Sequence, residues 1–248
     1  MRSGFEENWR RRFIERGSRF DDDAAIAGWT DAGLAARMRN FQRTWRGDAP
    51  GALWVDAGCG AGSYTRHLAA AGLRVIGLDY SLPSVQKARE RSAREIVWAV
   101  SDVRRLPLRP GSADGVMCFG VLQALDEPEA AIAELMATVR PGGQVWIDAL
   151  NAVCLPTLAR GALARLKGRQ LALRYHRAAH LAELMRRHGA VDVRIRRVPI
   201  LPPALARLQP LVESRACRGL LNALGPLGSP FAHAVLISAR RTGAPAQS

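Results

Sequence analysis

Asp56-Ala57-Gly58-Cys59-Gly60-Ala61-Gly62 stands between an apolar run at 52–57 (ALWVDA) and a helix-period stretch at 63–71. Read as strand, loop and helix, it decides the fold. Glycines in such a loop permit φ > 0 and, lacking Cβ, let the backbone come within contact of a ligand, while the following helix offers unpaired N–H groups. A nucleotide-like ligand is the expectation. Asp79 ends the next apolar run, 21 residues beyond Gly58, the distance at which a carboxylate meets ribose hydroxyls. A dinucleotide fold would place a third glycine where Ser63 stands. The pattern is instead G-x-G-x-G with Asp56 two residues before the first glycine. A negative charge there hinders a pyrophosphate and helps hold an ammonium or sulfonium. No G-K-[ST] occurs in the chain, which excludes P-loop chemistry.

Outward from that loop, apolar runs alternate with helix-period segments, the signature of βαβ units. Strands are predicted at 52–57, 74–79, 96–100, 115–122, 144–150, 191–198 and 234–239. Ser81 is placed to cap one helix, with Pro83 in its first turn. Another opens at Asp126 with Pro128, carries Ile132, Leu135, Met136 and Val139 on one face, and ends at Pro141-Gly142-Gly143. A further helix is predicted at 180–188. The expected fold is α/β: a Rossmann-like, seven-stranded, mostly parallel sheet with helices on both faces. Residues 1–48 form an N-terminal helical cap, and 49–248 the ligand-binding domain, with insertions at 151–175 and 200–231. We read the additions as a cover over one face of the sheet. In the second insertion the apolar residues from Leu201 to Leu224 follow a helical stripe that Pro210 is expected to break. The stripe can be a core-facing helix pair, a lid over a greasy acceptor, or a surface lying on anionic lipid.

Composition sets the bounds. The chain has 248 residues, of which 48% are hydrophobic and 23% charged, as in globular proteins and unlike disordered ones. No stretch reaches the ~18 uncharged apolar residues of a spanning helix, and the amino terminus has Arg10, Arg11 and Arg12 where a signal peptide needs an apolar core. A cytoplasmic location follows, with peripheral membrane contact through 200–231 left open. Cys59, Cys118, Cys154 and Cys217 lie far apart, without a CxxC pair, arguing against structural zinc and a disulfide framework. The net charge is +14, yet residues 1–150 carry only +1 and residues 151–248 carry +13. All but Lys87 and Lys167 of the 36 basic residues are arginine, a bias that GC-rich coding produces as readily as phosphate contacts. Tyr175 is the one aromatic between 151 and 230, so the basic part lacks the stacking platforms that RNA binding uses.

Four ordered segments, VDAGCGAG at 55–62, VIGLDYS at 75–81, SDVRRLPL at 101–108, and DGVMCFGVLQAL at 114–125 followed by VRPGGQVWI at 139–147, resemble the class I S-adenosylmethionine-dependent methyltransferases, in their small-molecule, quinone-biosynthesis-like branch. The resemblance covers 50–150 well and 176–198 loosely. It implies that Gly58, Gly60 and Gly62 pass under the methionine part of S-adenosyl-L-methionine, with Asp56 near its amino group. Asp79 would hold the ribose diol and Tyr80 flank the adenine ring. Asp102 would accept from the adenine amine with Val103 beside it, and Phe119 and Gly120 would face the sulfonium. No metal is implied.

Methyl transfer from a sulfonium is an in-line displacement that needs positioning more than an enzyme nucleophile. Relatives often show paired histidines after the fourth strand, where this chain has Gln123-Ala124. Gln123 can still hydrogen-bond an acceptor, and His176 follows Tyr175 at a place where relatives contribute to the acceptor pocket. Gln123 and His176 are therefore the catalytic candidates. Cys59 and Cys118 read as packing residues. The expected activity is methyl transfer to a small hydrophobic or biosynthetic acceptor, at oxygen. Methylation of RNA and non-catalytic cofactor binding are the alternatives.

Overall fold

Strand β1 shows how the alternation in the sequence becomes two cores. The structure, a computed structural model, describes residues 3–168 and 172–243; positions 169–171 of the first predicted insertion lie outside the described residues. Ahead of the sheet come α1 (Gly4–Arg19), α2 (Asp23–Ala27) and α3 (Asp31–Thr44), each capped by a side-chain oxygen, from Ser3, Asp22 and Thr30. Then follow β1 (Leu53–Ala57), α4 (Ser63–Ala70), β2 (Arg74–Asp79), α5 (Leu82–Glu90), β3 (Val97–Val100), β4 (Ala113–Cys118), α6 (Glu129–Thr138) and β5 (Val139–Leu150). The chain continues through α7 (Leu155–Leu166), α8 (Ala178–Arg187), β6 (Ala190–Val198), α9 (Gln209–Val212), α10 (Arg215–Ala223) and β7 (Ala234–Arg241). Among the described residues the strands form one seven-stranded sheet in the order β3-β2-β1-β4-β5-β7-β6, with only β7 antiparallel to its neighbours. The expected Rossmann-like sheet is therefore present, with the cap and tail helices added to it.

Successive strand side chains point to opposite faces. Val55 and Ala57 join one core with Ile132, Leu135 and Met136 of α6 and Leu181 and Met185 of α8. Trp54, fully buried, joins the other with Phe41 of α3, Tyr64 and Leu68 of α4, Phe119 and Trp146. Phe41 is its hub: its ring lies 5.3 Å from Trp146 and 5.5 Å from Phe119, both edge-on. The N-terminal cap thus enters the second core, burying large aromatic area in favourable geometry. Alternation also fixes Asp56 on the cap side, opposite Val55, at the carboxyl end of a parallel strand. That end is where open α/β sheets hold ligands.

The structure departs from the sequence reading in four places. The fourth strand ends at Cys118, before Phe119 and a Gly120 at φ 77°. The helix expected from Asp126 starts at Glu129, because the Asp126 carboxylate accepts from Ser3 and from Arg174 Nε at 2.9 Å and so caps nothing. Pro141-Gly142-Gly143 belongs to β5, whose pairing steps from Ala113–Val139 to Gly115–Gln144. A Cβ on Gly143 would stand 2.4 Å from the Asp114 carbonyl oxygen. Finally, Pro210 sits in the first turn of α9, and the helical break falls at Ser214, which caps α10. Helix α10 buries no residue, so it is not half of a core-facing pair.

A Cβ on Gly115 of β4 would lie 2.3 Å from the Trp54 indole. Gly115→Ala should therefore destabilise the fold by about 1–3 kcal/mol through overpacking, read as a lowered denaturant midpoint with an unchanged slope.

Candidate functional site

Three glycines after β1 adopt positive φ, and each serves differently. Gly58, at φ 87°, donates to the Leu78 carbonyl at 2.6 Å, and a Cβ there would stand 2.1 Å from Val121 Cγ2. Gly60, at φ 51°, donates to Asp79 Oδ2 at 2.9 Å, and a Cβ there would meet nothing within 4 Å. Gly62 is the left-handed cap of α4, and the Trp98 indole occupies the space of its missing Cβ at 2.5 Å. Gly58 and Gly60 line a cavity over the carboxyl ends of β1, β2 and β4, whereas Gly62 does not.

Two carboxylates meet in this cavity. Asp79 holds the loop through Gly60 and accepts from the Ser81 amide at 2.8 Å through its other oxygen. Asp56, buried, accepts from Thr65 Oγ1 at 2.6 Å. Burial pushes the Asp56 carboxyl up to about 7, against the Thr65 hydrogen bond and with a further push from Asp79. Burial also raises Asp79, and the backbone N–H groups that it accepts from oppose the rise. Both carboxyls await a partner that brings positive charge or donors.

Along the cavity, Tyr80 meets Phe13 of α1 edge-on at 6.2 Å, and Val103 is buried beneath. Asp102 also lines it, but its carboxylate accepts from the Arg104 amide and Nη2, each at 3.0 Å, and Arg104 reaches Glu6 of α1 at 2.7 Å. Asp102 thus faces its own chain's guanidinium as well as the cavity. At the far end stand Phe119 and Gly120. The Gly120 amide donates to Asp148 Oδ1 at 2.6 Å, and Trp29 fills the space over Gly120 at 2.5 Å from its missing Cβ. Asp148 in turn accepts from Arg37 Nε at 3.1 Å, with both side chains buried, and Arg37 lies 4.5 Å over the Trp29 ring.

The sequence reading missed Tyr64, Trp29, Arg37 and Asp148. Tyr64 lines the cavity, and its hydroxyl is buried without a hydrogen-bond partner. Asp148, a lone acid in the apolar run 144–150, was the one signal available, since a buried acid requires a partner.

A second, larger and mostly apolar chamber adjoins the first and shares Trp9, Phe13, Ala27 and Trp29 with it. Gln123 and Tyr175 line this chamber. His176 lines neither space: it is buried, with Nε2 3.1 Å from the Leu122 carbonyl oxygen, and its amide donates to Leu150 at 2.9 Å. His176 thus fastens the turn that carries Gln123.

The residues of the first cavity suit S-adenosylmethionine. Open space over Gly60 admits a ligand backbone, Asp79 and Asp56 match hydroxyl and ammonium donors, and the orphaned Tyr64 hydroxyl offers one more hydrogen bond.

Residues 55–147 match the family model described as a methyltransferase domain. Over 190 residues the chain is 30% identical to the ubiquinone biosynthesis O-methyltransferase of Xanthomonas euvesicatoria, a match covering 69% of this chain and 80% of that one. It is 33% identical over 112 residues to the demethylmenaquinone methyltransferase of Renibacterium salmoninarum, covering 42% of this chain and 47% of that one. The chain thus spans under half the length of that second relative. Among solved structures, the phosphoethanolamine N-methyltransferase 2 of Haemonchus contortus in complex with S-adenosyl-L-methionine superposes with a TM-score of 0.66 at 18% identity. It covers 94% of this chain and 60% of that one.

The raised Asp56 pKa gives a signed pH dependence. An unfolded aspartate ionises near ~3.9 and Asp56 in the fold at about 7, so the ligand-free protein should lose stability as pH rises from about 4 to about 7. Melting temperatures across that range should fall, and Asp56→Asn should flatten the slope.

Proposed function

Because the chain belongs to the S-adenosylmethionine-dependent methyltransferases, we propose that it transfers a methyl group to an oxygen of a small, apolar biosynthetic acceptor. The observation that carries this reading is the shared wall of Trp9, Phe13, Ala27 and Trp29 between the cavity over the glycine loop and an apolar chamber. Two ligands seated in the two spaces would meet there.

Bound in the first cavity, S-adenosylmethionine supplies a methyl group on a sulfonium that is already an activated leaving group. The chain's work is placement. Asp79 would take the ribose hydroxyls, and Asp56 and the Tyr64 hydroxyl the amino-acid end. Tyr80 and Val103 would border the adenine, with Asp102 accepting from its amine while Arg104 keeps that carboxylate in place. Phe119 and Gly120 would lie at the sulfonium, and Trp29 over Gly120 would exclude water from the line of transfer. Holding reacting atoms at contact distance can supply much of the acceleration. Gln123, from the chamber side, would hydrogen-bond the acceptor oxygen. Among the described residues no aspartate or glutamate lines the chamber, which suits an acceptor that needs little help in losing a proton.

The same reading extends to where the acceptor is met. Among the described residues no helix is long and apolar enough to cross a membrane. The 200–231 segment nevertheless exposes Leu211, Leu220 and Leu227 at 62, 61 and 76% beside Arg207, Arg215 and Arg218. We propose that this surface rests on anionic lipid, apolar burial and arginine charge acting together. Phosphatidylglycerol vesicles should sediment the protein and phosphatidylcholine vesicles should not, with Leu220→Ser and Leu227→Ser together weakening the association.

Calorimetric titration tests the cofactor. S-adenosylmethionine should bind and Asp79→Ala should weaken it about tenfold or more, whereas binding of NADH in its place would overturn the assignment. With an acceptor in hand, Gln123→Ala should lower kcat while leaving cofactor affinity unchanged.

A further inference from the structure

The second chamber is apolar over most of its wall, with Leu155, Leu173, Ile200 and Phe231 among its residues, yet its polar groups are unbalanced. Arg37, Arg160 and His233 line it, and among the described residues no carboxylate does. Arg37 gives Nε to Asp148 and Nη1 to the Gly33 carbonyl at 3.3 Å. Arg160, on α7, is exposed; its Nε donates to the Pro156 carbonyl at 3.3 Å, and among the described residues no carboxylate pairs with it. His233 feels both guanidinium groups: its pKa is lowered to about 4, by burial first and then by Arg37 and Arg160. With Arg37 paired to Asp148 and His233 held neutral, Arg160 is the chamber's uncompensated charge, and an apolar chamber with such a guanidinium at its wall is complementary to a ligand with an apolar body and an anionic head.

We propose that the chamber takes an amphipathic carboxylate, its acid group held by Arg160 with Arg37 behind it and its chain lying along the leucine-rich wall. A guanidinium presents a planar fork of donors that matches a carboxylate, which a neutral alcohol or an amine does not exploit. The inference rests on this chamber being the acceptor site and narrows the acceptor to an acid.

The test uses the full chain saturated with S-adenosylhomocysteine, titrated calorimetrically with decanoate, decanol and decylamine. Decanoate should bind about tenfold or more tightly than either of the others. Arg160→Gln should abolish that preference while leaving decanol affinity unchanged. Arg165→Gln, on the same helix but outside the chamber, should leave decanoate binding as it was. Equal affinity for the three probes overturns the proposal. So does loss of the preference in Arg165→Gln as well, since the effect would then be general surface charge. Titration of the free protein with S-adenosylmethionine separates the two levels: cofactor binding without decanoate preference removes the acid assignment and leaves the methyltransferase reading standing, and failure of cofactor binding removes that reading.

Discussion

The buried pair between Arg37 and Asp148 joins parts of the chain that would otherwise be independent. Asp148 lies on β5, Arg37 on α3, and the second carboxylate oxygen takes the Gly120 amide after β4. One carboxylate therefore locks the N-terminal cap to the sheet and fixes the backbone at the end of the glycine-loop cavity. Breaking a buried pair by removing one partner is strongly destabilising, because it strands an uncompensated charge. Here the stranded charge would lie against the Gly120 loop that lines the glycine-loop cavity, coupling fold integrity to that cavity. Burial holds the Asp148 carboxyl above its ordinary range, even against the Arg37 charge and the Gly120 amide.

The remaining architecture hangs from this junction. With α3 fixed, Trp29 is held over Gly120 by Arg37 and Phe41 is seated among Tyr64, Phe119 and Trp146. A second set of ties runs from α1. Glu6 binds Arg104 and accepts from the Asp126 amide at 3.2 Å, and Lys87 reaches the Phe20 carbonyl at 2.7 Å. These contacts bridge the cap to the loops after β3 and β4 and to α5, which surround the glycine-loop cavity. The cap is thus part of its wall.

The sheet and the glycine loop were legible because they depend on local patterns: alternation along β1, the cap at Ser81, and the spacing from Gly58 to Asp79. Asp79, Asp56, Gly58 and Gly60 follow from those patterns, and the structure gathers them on one cavity. Gly62 has the same composition signal but a different job, because Trp98 is close to it in space and far in sequence. Arg37 and Trp29 carried no local signal, since their meaning comes from Asp148 and Gly120, about a hundred residues away. The same cause misled the reading of Asp126. As a helix opener it fits the sequence, and it is diverted by Ser3 and Arg174, which only the folded chain brings near. His176 sits where an acceptor-facing residue was expected, but its ring is turned to the Leu122 carbonyl instead.

The roof over the glycine-loop cavity also bears on how a ligand would leave it. Trp9, Phe13, Ile26 and Trp29 all come from the cap and close over the same space as the glycine loop. A ligand seated beneath them would leave through movement of the cap away from the sheet, which the ties of Glu6 to Arg104, Ser3 to Asp126 and Lys87 to Phe20 oppose. Exchange of spent for fresh cofactor would then depend on that opening. In many enzymes such opening, and not the chemical step, limits turnover. The second chamber has walls of its own from α7 and from the segments before and after α10, so a change confined to those walls would leave the lining of the first cavity unaltered.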